Sequence, residues 1–430
     1  MKIFLNITIF IFLSLFLLTS YPRCHASQDE LAKNELLRDG NRNTLVSSRN
    51  IFEMGFFGMK NQNGNQRYLG IWYYMDPDTI VWVANRDNPV SSSSCILDIE
   101  EDGNMVVKDE SGIYFTTNLP SSPESRSLKL SDSGNLILEN ESGFSVWSSF
   151  SYPTDTFLPG MHMETTTKLT SWKTRYNPAT GTFVFQKDQV FGYNNYTIFD
   201  GKKLHWKSGF GLESNINPTK MPITALHLLS RSNSSKTPLT YSRLVMNSSG
   251  EIQLYYWDLT IRKWVLNWSE PKDYCAKFNA CGPNSSCNIS KPVGTGSLCS
   301  CLPGFELVSD ITSSEQACKR TATICSGNDT GFLSMEIMKI DVTFQTFLES
   351  RSEPECKDKC LGLDCCQAYS YNGVGNQELV LAGVPGGKQG CWIWSSGSQL
   401  VDVQIGEGVS GHIISIRNPV SLGKYFFQYF

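Results

Sequence analysis

The cysteines are the residues whose type and spacing most directly predict chemistry. Of the 14 cysteines, 12 lie between Cys275 and Cys391, whereas Cys24 is near the N-terminus and Cys95 stands alone. An even, dense cluster in a chain with a secretory leader is typical of a disulfide framework. A metal site is the alternative, but the region holds no histidine and its spacing is not that of paired CxxC knuckles. We therefore expect disulfides and no metal.

Side-chain combinations that could catalyse a reaction are missing from the sequence. The histidines beyond the first 26 residues are widely scattered, at His162, His205, His227 and His412. No HExxH, GxSxG, VAIK, HRD or DFG motif occurs, and no glycine-rich phosphate loop follows a predicted strand. We therefore predict that the chain is not an enzyme, binds no ATP and needs no cofactor. An extracellular hydrolase is the enzyme alternative.

The N-terminus predicts export from the cell. Lys2 precedes an almost continuous apolar run from Ile3 to Leu18, and Cys24-His25-Ala26 places small residues where a signal peptidase prefers them. We expect a signal peptide at 1–26, with a retained signal anchor as the alternative, although the run is short for a span of about 20 residues. No second apolar stretch reaches that length, so we expect a secreted product. The net charge of -4 offers no basic field for nucleic acid.

Sequons point to the same compartment, because N-linked glycans are attached at N-x-S/T in secreted proteins. Beyond the predicted leader, eight sequons occur, at Asn140, Asn195, Asn233, Asn247, Asn267, Asn284, Asn288 and Asn328. We therefore predict a secreted glycoprotein.

Short aromatic and β-branched runs, broken by turn residues every 8–12 positions or so, predict an all-β structure from about 27 to 270. An internal repeat lies within it, because Gly103 to Gly112 (GNMVVKDESG) matches Gly134 to Gly143 (GNLILENESG) at an offset of 31 residues. Weaker copies start at Asn50 and Gly250. Repeated turn–strand–turn units of this length indicate a symmetric array of small sheets around one core.

The rest of the chain changes character twice. Residues from Pro271 to about Arg320 are rich in Cys, Gly, Pro, Asn and Ser, and such a segment must be stapled because it cannot build much core. From Cys325 to Ile416 the pattern is mixed. It predicts a helix over 353–363 and strands over 332–337, 368–371 and 389–394.

Several motifs carry a resemblance to a known family. The run from Trp82 to Val90 (WVANRDNPV) resembles the hallmark of bulb-type, mannose-binding lectin domains of plant receptors. Residues 147–150 (WSSF) and 153–160 (PTDTFLPG) are similar to the end of that domain. Residues 169–173 (LTSWK) and 177–183 (NPATGTF) resemble the start of the S-locus glycoprotein region. The cysteine-rich segment resembles an EGF-like module, and the last region resembles a PAN/apple module.

In this order the motifs resemble the extracellular half of an S-locus glycoprotein, or G-type lectin S-receptor-like serine/threonine kinase. The resemblance implies a mainly β fold with two β-prism-II-like lectin domains, a disulfide-rich EGF-like module and an α+β PAN/apple module. The implied boundaries are 1–26 for the signal peptide, 27–158 for the bulb-type lectin domain, 159–270 for the S-locus glycoprotein domain, 271–320 for the EGF-like domain, 325–416 for the PAN/apple domain and 417–430 for an atypical tail.

The resemblance also implies a sugar site, because bulb-type lectins bind mannose through the pattern QxDxNxVxY. Alternate residues of a strand share a face, so the polar residues grip vicinal hydroxyls while the apolar residue packs on the sugar ring. The first copy presents Glu100, Asp102, Asn104, Val106 and then Lys108. An ionised Glu100 only accepts hydrogen bonds. The second copy reads Ser131, Ser133, Asn135, Ile137 and Glu139. A turn role beside Gly103 and Gly134 is the alternative for Asn104 and Asn135.

Family connectivity implies five disulfides, which are Cys275–Cys287, Cys281–Cys299, Cys301–Cys318, Cys356–Cys391 and Cys360–Cys366. These pairs leave Cys325 with Cys365. The family usually has Cys-x-Cys where Cys365 and Cys366 are adjacent here. Asp273 alone precedes the first EGF-like cysteine, so we expect no calcium. For Cys95 we expect a buried free thiol, with an intermolecular disulfide as the alternative.

The function that the resemblance implies is recognition outside the cell, in pollen recognition or defence signalling. The expected partners are a peptide, protein or glycan ligand, a second copy of the chain, or a full-length receptor kinase. Two alternatives stay open: a truncated product of a membrane serine/threonine receptor kinase gene, and a secreted mannose-binding lectin. In the first case the protein would lie in the cell membrane.

Overall fold

The computed structural model describes residues 28–40, 44–59, 66–122, 124–188, 195–208, 212–213, 221–230, 241–290, 297–308, 317–321, 323–325, 330–341, 345–363, 365–373, 389–395, 397–405 and 412–419. The predicted signal peptide, Asn233, Asn328 and residues 420–430 lie outside them. The chain divides into two compact units, 1–149 and 150–430. Among the described residues, no helix is long and apolar enough to cross a membrane. The prediction of a mainly β fold is confirmed.

The first unit contains three four-stranded antiparallel sheets, each of which begins with a two-residue strand. One sheet consists of β1 (Glu30–Leu31), β10 (Arg126–Leu130), β11 (Leu136–Asn140) and β12 (Ser145–Ser148). A second consists of β2 (Leu37–Arg38), β7 (Ile96–Ile99), β8 (Met105–Asp109) and β9 (Gly112–Thr116). The third consists of β3 (Leu45–Val46), β4 (Phe52–Gly58), β5 (Arg67–Tyr73) and β6 (Asp76–Val83).

One aromatic side chain from each sheet meets in the core of the first unit. Trp82 of β6, Phe115 of β9 and Trp147 of β12 pack edge to face, with ring centroids 6.0–6.4 Å apart. Such T-shaped pairs are the favoured arrangement of aromatic rings. The three sheets are therefore arranged around a shared aromatic centre, as the repeat predicted.

The second unit begins with two four-stranded antiparallel sheets. One consists of β13 (Thr156–Phe157), β19 (Ser242–Met246), β20 (Ile252–Asp258) and β21 (Lys263–Glu270). The other consists of β14 (Lys168–Thr174), β15 (Asn177–Lys187), β16 (Tyr196–Asp200) and β17 (Lys203–Lys207). Helix α1 (Ile223–Leu229) is short, and a 3₁₀ turn spans Ser149–Ser151.

In each of the five four-stranded sheets, the last strand carries a β-bulge directly before a large aromatic residue. In the first unit the residues that break the register are Val81, Tyr114 and Val146, which precede the three core aromatics. In the second unit His205 precedes Trp206 and Asn267 precedes Trp268, and these two indole rings pack at 6.5 Å. A bulge bends and twists its strand. Both parts of the β region are therefore built by repeating one kind of bulged sheet. This repetition was not predicted from the sequence.

The repeated sequence forms a tight turn between the second and third strands of a sheet. In Glu100–Gly103 the Gly103 N–H donates to the Glu100 carbonyl at 2.9 Å, and equivalent bonds close Ser131–Gly134 (3.0 Å) and Asn247–Gly250 (3.3 Å). The φ angles of the three glycines are 80°, 85° and 90°, which disfavour any side chain. The predicted copy at Gly250 is thus equivalent. The Asn50 turn instead joins the first two strands of its sheet.

The cysteine-rich region and the C-terminal region share one sheet. A five-stranded sheet combines β22 (Ser285–Asn288) and β23 (Cys299–Cys301) with β27 (Lys339–Ile340), β31 (Val403–Ile405) and β18 (Leu212–Glu213). β22 pairs with β31 in parallel, Ser286 opposite Val403. The EGF-like segment therefore shares backbone hydrogen bonds with the PAN-like region and cannot be removed without exposing a sheet edge.

The PAN-like region itself is a five-stranded sheet with one helix. Its strands are β26 (Thr330–Ile337), β28 (Thr346–Glu349), β29 (Ala368–Asn372), β30 (Gly390–Trp394) and β32 (His412–Pro419), and a hairpin of β24 (Phe305–Val308) and β25 (Ala317–Arg320) precedes it. Helix α2 (Glu353–Leu361) begins at the N-cap Ser352, whose hydroxyl accepts from the Glu355 N–H. These elements match the predicted helix and strands within a few residues.

Two segments lie beyond the predicted boundaries. The first compact unit ends at Ser149, and Thr156–Phe157 pairs with β19 of the second unit, although the predicted lectin domain runs to 158. Residues 417–419, predicted to be tail, extend β32, because Arg417 pairs with Phe332 and Pro419 with Thr330.

Candidate functional site

The predicted sugar-binding residues lie at the β7–β8 hairpin of the first unit. Glu100 and Lys108, the charged residues at the two ends of this segment, pair with each other. The Lys108 Nζ lies 2.7 Å from an Asp98 carboxylate oxygen and 3.0 Å from a Glu100 carboxylate oxygen. The bond to Asp98 is the main cause of the raised pKa of Lys108. Glu100 and Lys108 replace the Gln and Tyr of the mannose pattern, and here they form an ion pair across the site.

Asn104 is engaged by its own chain. Its amide nitrogen donates to Asp102 Oδ2 (2.8 Å) and to the Leu119 carbonyl (3.1 Å), and its Oδ1 accepts from Thr117 Oγ1 (2.8 Å) and the Leu119 N–H (2.6 Å). These four bonds use the whole capacity of a primary amide. The side chain is 5% exposed. Its side chain therefore fixes the loop after β9 and keeps no hydrogen-bonding capacity for a sugar.

Asp102, in the turn before β8, and Val106, on β8, complete the predicted group. Two hydrogen bonds from Asn104, one from its backbone N–H (2.9 Å) and one from its amide, hold the pKa of Asp102 below its usual range. Val106 is buried, so its own side chain offers no exposed apolar surface to a sugar ring. In the second copy, Asn135 accepts from the hydroxyls of Ser148 and Ser149. The structure brings all four predicted residues together, and the polar ones already form hydrogen bonds within the chain.

The motif at Trp82–Val90 also serves the backbone. Asn85 is buried, its Oδ1 accepts from the Leu69 N–H, and its amide donates to the carbonyls of Arg67 and Asn88. This residue therefore fixes the chain after β6.

A groove of about 680 Å³ lies in the second unit, where the β16–β17 hairpin meets the cysteine-rich segment. It is lined by Lys203, Leu204, Tyr274, Phe278, Asn279, Ala280, Cys281, Gly282, Pro283, Ser297, Leu298 and Cys299. The Phe278 N–H donates to the His205 carbonyl at 2.8 Å, and the Lys207 ammonium lies 5.1 Å from the Phe278 ring. This groove was not predicted from the sequence, because its walls come from segments about 70 residues apart in the chain.

Six disulfides are formed among the described cysteines, and they coincide with the five pairs that the resemblance implied and the pair that these leave. They are Cys275–Cys287, Cys281–Cys299, Cys301–Cys318, Cys325–Cys365, Cys356–Cys391 and Cys360–Cys366. The sulfur atoms of Cys281, Cys287 and Cys299 lie within 4.8 Å of one another, but each belongs to a disulfide. They therefore offer no thiolate to a metal.

Cys95 is a free, fully buried thiol beside an ion pair. Its Sγ lies 3.6 Å from Asp39 Oδ2, and that carboxylate also accepts from the Arg67 guanidinium at 2.5 Å. Burial, with Asp39 as a second cause, raises the pKa of Cys95 to about 12. A thiol with this pKa is a poor nucleophile at neutral pH.

The described sequons differ in accessibility. Asn267 is exposed, whereas Asn195 is 7% exposed. The amide of Asn284 donates to the Cys318 carbonyl at 3.2 Å, and its Oδ1 accepts from the Leu400 N–H at 3.1 Å. A glycan on Asn284 would displace these two hydrogen bonds, and Asn195 is buried, so glycosylation of these two sequons stays a prediction.

Comparison with protein families gives three matches in the predicted order. The D-mannose binding lectin model matches residues 79–175, the S-locus glycoprotein domain model 213–309 and the PAN-like domain model 325–403. A G-type lectin S-receptor-like serine/threonine-protein kinase of Arabidopsis thaliana is 35% identical over 84% of this chain and 43% of its own length. The "putative inactive G-type lectin S-receptor-like serine/threonine-protein kinase SRK" of the same plant is 31% identical over 90% of this chain and 72% of its own length.

The chain thus spans less than half of the first of these relatives. Among solved structures, a monocot mannose-binding lectin from Gastrodia elata is 21% identical and covers 28% of this chain and 96% of its own, with a TM-score of 0.23. The mannose-specific agglutinin from snowdrop (Galanthus nivalis) bulbs is also 21% identical, over 28% and 94% of the two chains, with a TM-score of 0.21.

Proposed function

The chain belongs to the family of G-type lectin S-receptor-like serine/threonine-protein kinases, and we propose that it is an extracellular recognition glycoprotein of that family. Its role is to bind a peptide, protein or glycan ligand, in pollen recognition or defence, through the lectin-type ectodomain. Any catalytic activity belongs to parts of the relatives that lie outside this chain's matches. Self-association and pairing with a full-length receptor kinase are part of the same proposal.

The groove in the second unit is the observation that carries the proposal. It is concave, mixes aromatic and polar side chains, and has walls held by the Cys281–Cys299 disulfide. Pre-formed clefts with apolar walls and a few polar groups are the usual binding sites of proteins. Because β22 and β31 join the cysteine-rich and PAN-like regions in one sheet, the groove is held on a rigid support. A rigid support lowers the entropy cost of binding.

Binding measurements on the whole chain test this proposal. The whole chain is expressed in plant cells and collected from the medium. It is then immobilised and exposed to a panel of synthetic cysteine-rich peptides and to a glycan array. We expect a peptide ligand whose affinity falls at least tenfold in Lys203→Glu, because Lys203 lines the groove. Lys202→Glu is the matched control, since it makes the same charge change one residue away on the exposed turn.

Either of two results would contradict the proposal. If the chain is retained inside the cell, it has no extracellular role. If Lys202→Glu and Lys203→Glu weaken binding equally, the groove is not the docking site. A glycan ligand without any peptide ligand would instead favour the secreted-lectin alternative, and a transcript that continues into a membrane span and kinase motifs would make the chain the sensor part of a membrane receptor.

A further inference from the structure

A row of polar side chains lies on the second unit at the same place in the sheet as the predicted sugar strand of the first unit. The turn Asn247–Gly250 and strand β20 correspond to Glu100–Gly103 and β8, because both turns precede the third strand of a bulged sheet. Matching the two glycines aligns Asn247, Glu251, Gln253 and Tyr255 with Glu100, Asn104, Val106 and Lys108. We call the first four residues the polar ladder.

The polar ladder is a continuous chain of hydrogen bonds. Asn247 Nδ2 donates to Glu251 Oε2 at 3.3 Å, Gln253 Nε2 donates to the same oxygen at 2.8 Å, and the Tyr255 hydroxyl donates to Gln253 Oε1 at 2.8 Å. All four side chains are half-buried. Each group fixes the next, so the polar ladder is pre-organised along one face of the sheet.

Several groups of the polar ladder keep hydrogen-bonding capacity. Within the described part of the chain, Glu251 Oε1 accepts no bond, one N–H of Gln253 Nε2 is unused, and the Tyr255 oxygen can still accept. This order of acceptor, donor and acceptor matches a vicinal diol, whose hydroxyls both donate and accept. In contrast, Asn104 has no such capacity left.

Aromatic rings flank the polar ladder. Trp257 follows Tyr255 on the same strand face and packs edge to face against Trp264 at 5.4 Å. The Arg243 guanidinium lies 4.8 Å from the Tyr255 ring centroid and 4.7 Å from that of Trp264. The cation therefore fixes the Tyr255 ring, and the indoles supply apolar surface for the C–H face of a sugar.

We propose that the polar ladder binds a neutral hexose through two adjacent hydroxyl groups. This sugar site lies in the second unit, apart from the bulb-type strand, and it deepens the proposed recognition function, on which it rests. Glu251 and Gln253 contact the diol, Tyr255 accepts from a third hydroxyl, and Trp257 packs against the ring.

Saturation-transfer NMR on the whole secreted chain tests the site, with methyl glycosides of mannose, glucose and galactose as probes. All variants carry Ser249→Ala, which removes the Asn247 sequon so that no attached glycan competes. We expect a signal from at least one glycoside, reduced at least tenfold in affinity by Gln253→Leu. Tyr255→Phe should weaken it severalfold, because this change removes only the hydroxyl and keeps the ring beside Arg243.

Glu100→Ala/Lys108→Ala, at the bulb-type strand, is the control, and thermal unfolding checks that each variant is folded. Binding that survives Glu100→Ala/Lys108→Ala and is lost in Gln253→Leu supports the inference. The absence of any signal, or a signal unaffected by Gln253→Leu and Tyr255→Phe, overturns it. A signal lost only in the Glu100/Lys108 variant also overturns it, while leaving extracellular glycan recognition intact.

Discussion

Lys339 and Asp402 form an ion pair inside the second unit, with side chains 4% and 1% exposed. Asp402 also accepts from the Asn279 N–H at 3.1 Å and donates its own N–H to Asn279 Oδ1 at 3.3 Å. The pair thus joins the cysteine-rich segment to two strands of the PAN-like region. Breaking a buried pair is costly because the remaining charge has no compensation.

The first prediction concerns this pair. Lys339→Met leaves the Asp402 carboxylate buried without its cation, so we expect the free energy of unfolding to fall by about 3–5 kcal/mol. Asp402→Asn keeps the contacts with Asn279 and tolerates the φ of 56°. The double variant should therefore be more stable than Lys339→Met alone, as measured by denaturant unfolding.

A surface pair provides the control for that experiment. Glu355 and Lys359 lie one helical turn apart at 2.9 Å, with side chains 42% and 32% exposed. Lys359→Met should destabilise the fold much less than Lys339→Met, because exposed pairs contribute little to stability. Equal losses in Lys339→Met and Lys359→Met would show that the buried pair does not hold the two regions together.

The second prediction concerns Asn104. Asn104→Ala removes four side-chain hydrogen bonds and leaves the Leu119 N–H without its acceptor, so the first unit should lose about 2–3 kcal/mol. Asn88→Ala is the control, because Asn88 is exposed and makes only a 3.4 Å side-chain bond to the Tyr114 carbonyl. A loss of mannoside binding with unchanged unfolding would instead assign Asn104 to ligand contact.

Much of the architecture follows from local sequence. The turn at Gly103, the alternation of strands and the helix start at Glu353 depend on neighbouring residues, so sequence patterns predict them. The parallel pairing of Ser286 with Val403 does not, because it joins residues more than 100 positions apart. Short strands within a cysteine-rich segment carry no periodic signal that could predict their partner.

The candidate sites were predictable to a smaller extent. The closeness of Glu100 and Asn104 follows from the predicted turn at Gly103, but the loss of Asn104's free capacity depends on Leu119 and Thr117 beyond the next strand. The polar ladder was hidden because its residue types differ from the first copy. The recurring pair of a bulge residue and an aromatic, such as Asn267-Trp268, is the signal that aligns the two.

The third prediction concerns pH and His205. Burial, with Lys277 as a second cause, lowers the pKa of His205 below its ordinary value of 6.5. Between the lowered folded value and 6.5, the unfolded chain binds more protons than the folded chain. Stability should therefore rise with pH through that window and level off above it. His205→Gln should flatten this dependence in unfolding measured from pH 5 to 7.

His162→Gln serves as the control for the pH experiment, because His162 is exposed. We expect it to keep the wild-type dependence. If His205→Gln retains the full slope, another group causes the loss of stability in acid, and the half-buried His205 at the β17 bulge has no linkage to folding.

The fourth prediction concerns Cys95. The thiol is buried and its pKa is raised to about 12, so the reactive thiolate is scarce near neutral pH. Iodoacetamide at pH 8 should leave the Cys95 peptide unmodified in the native protein and alkylate it fully in guanidinium chloride, as read by peptide mass spectrometry. A disulfide-linked dimer through Cys95, or labelling at equal rates in both conditions, would contradict the structure.

Asp39→Asn removes a neighbouring negative charge that raises the pKa of Cys95. It also loosens the ion pair with Arg67, so native labelling should become faster in that variant.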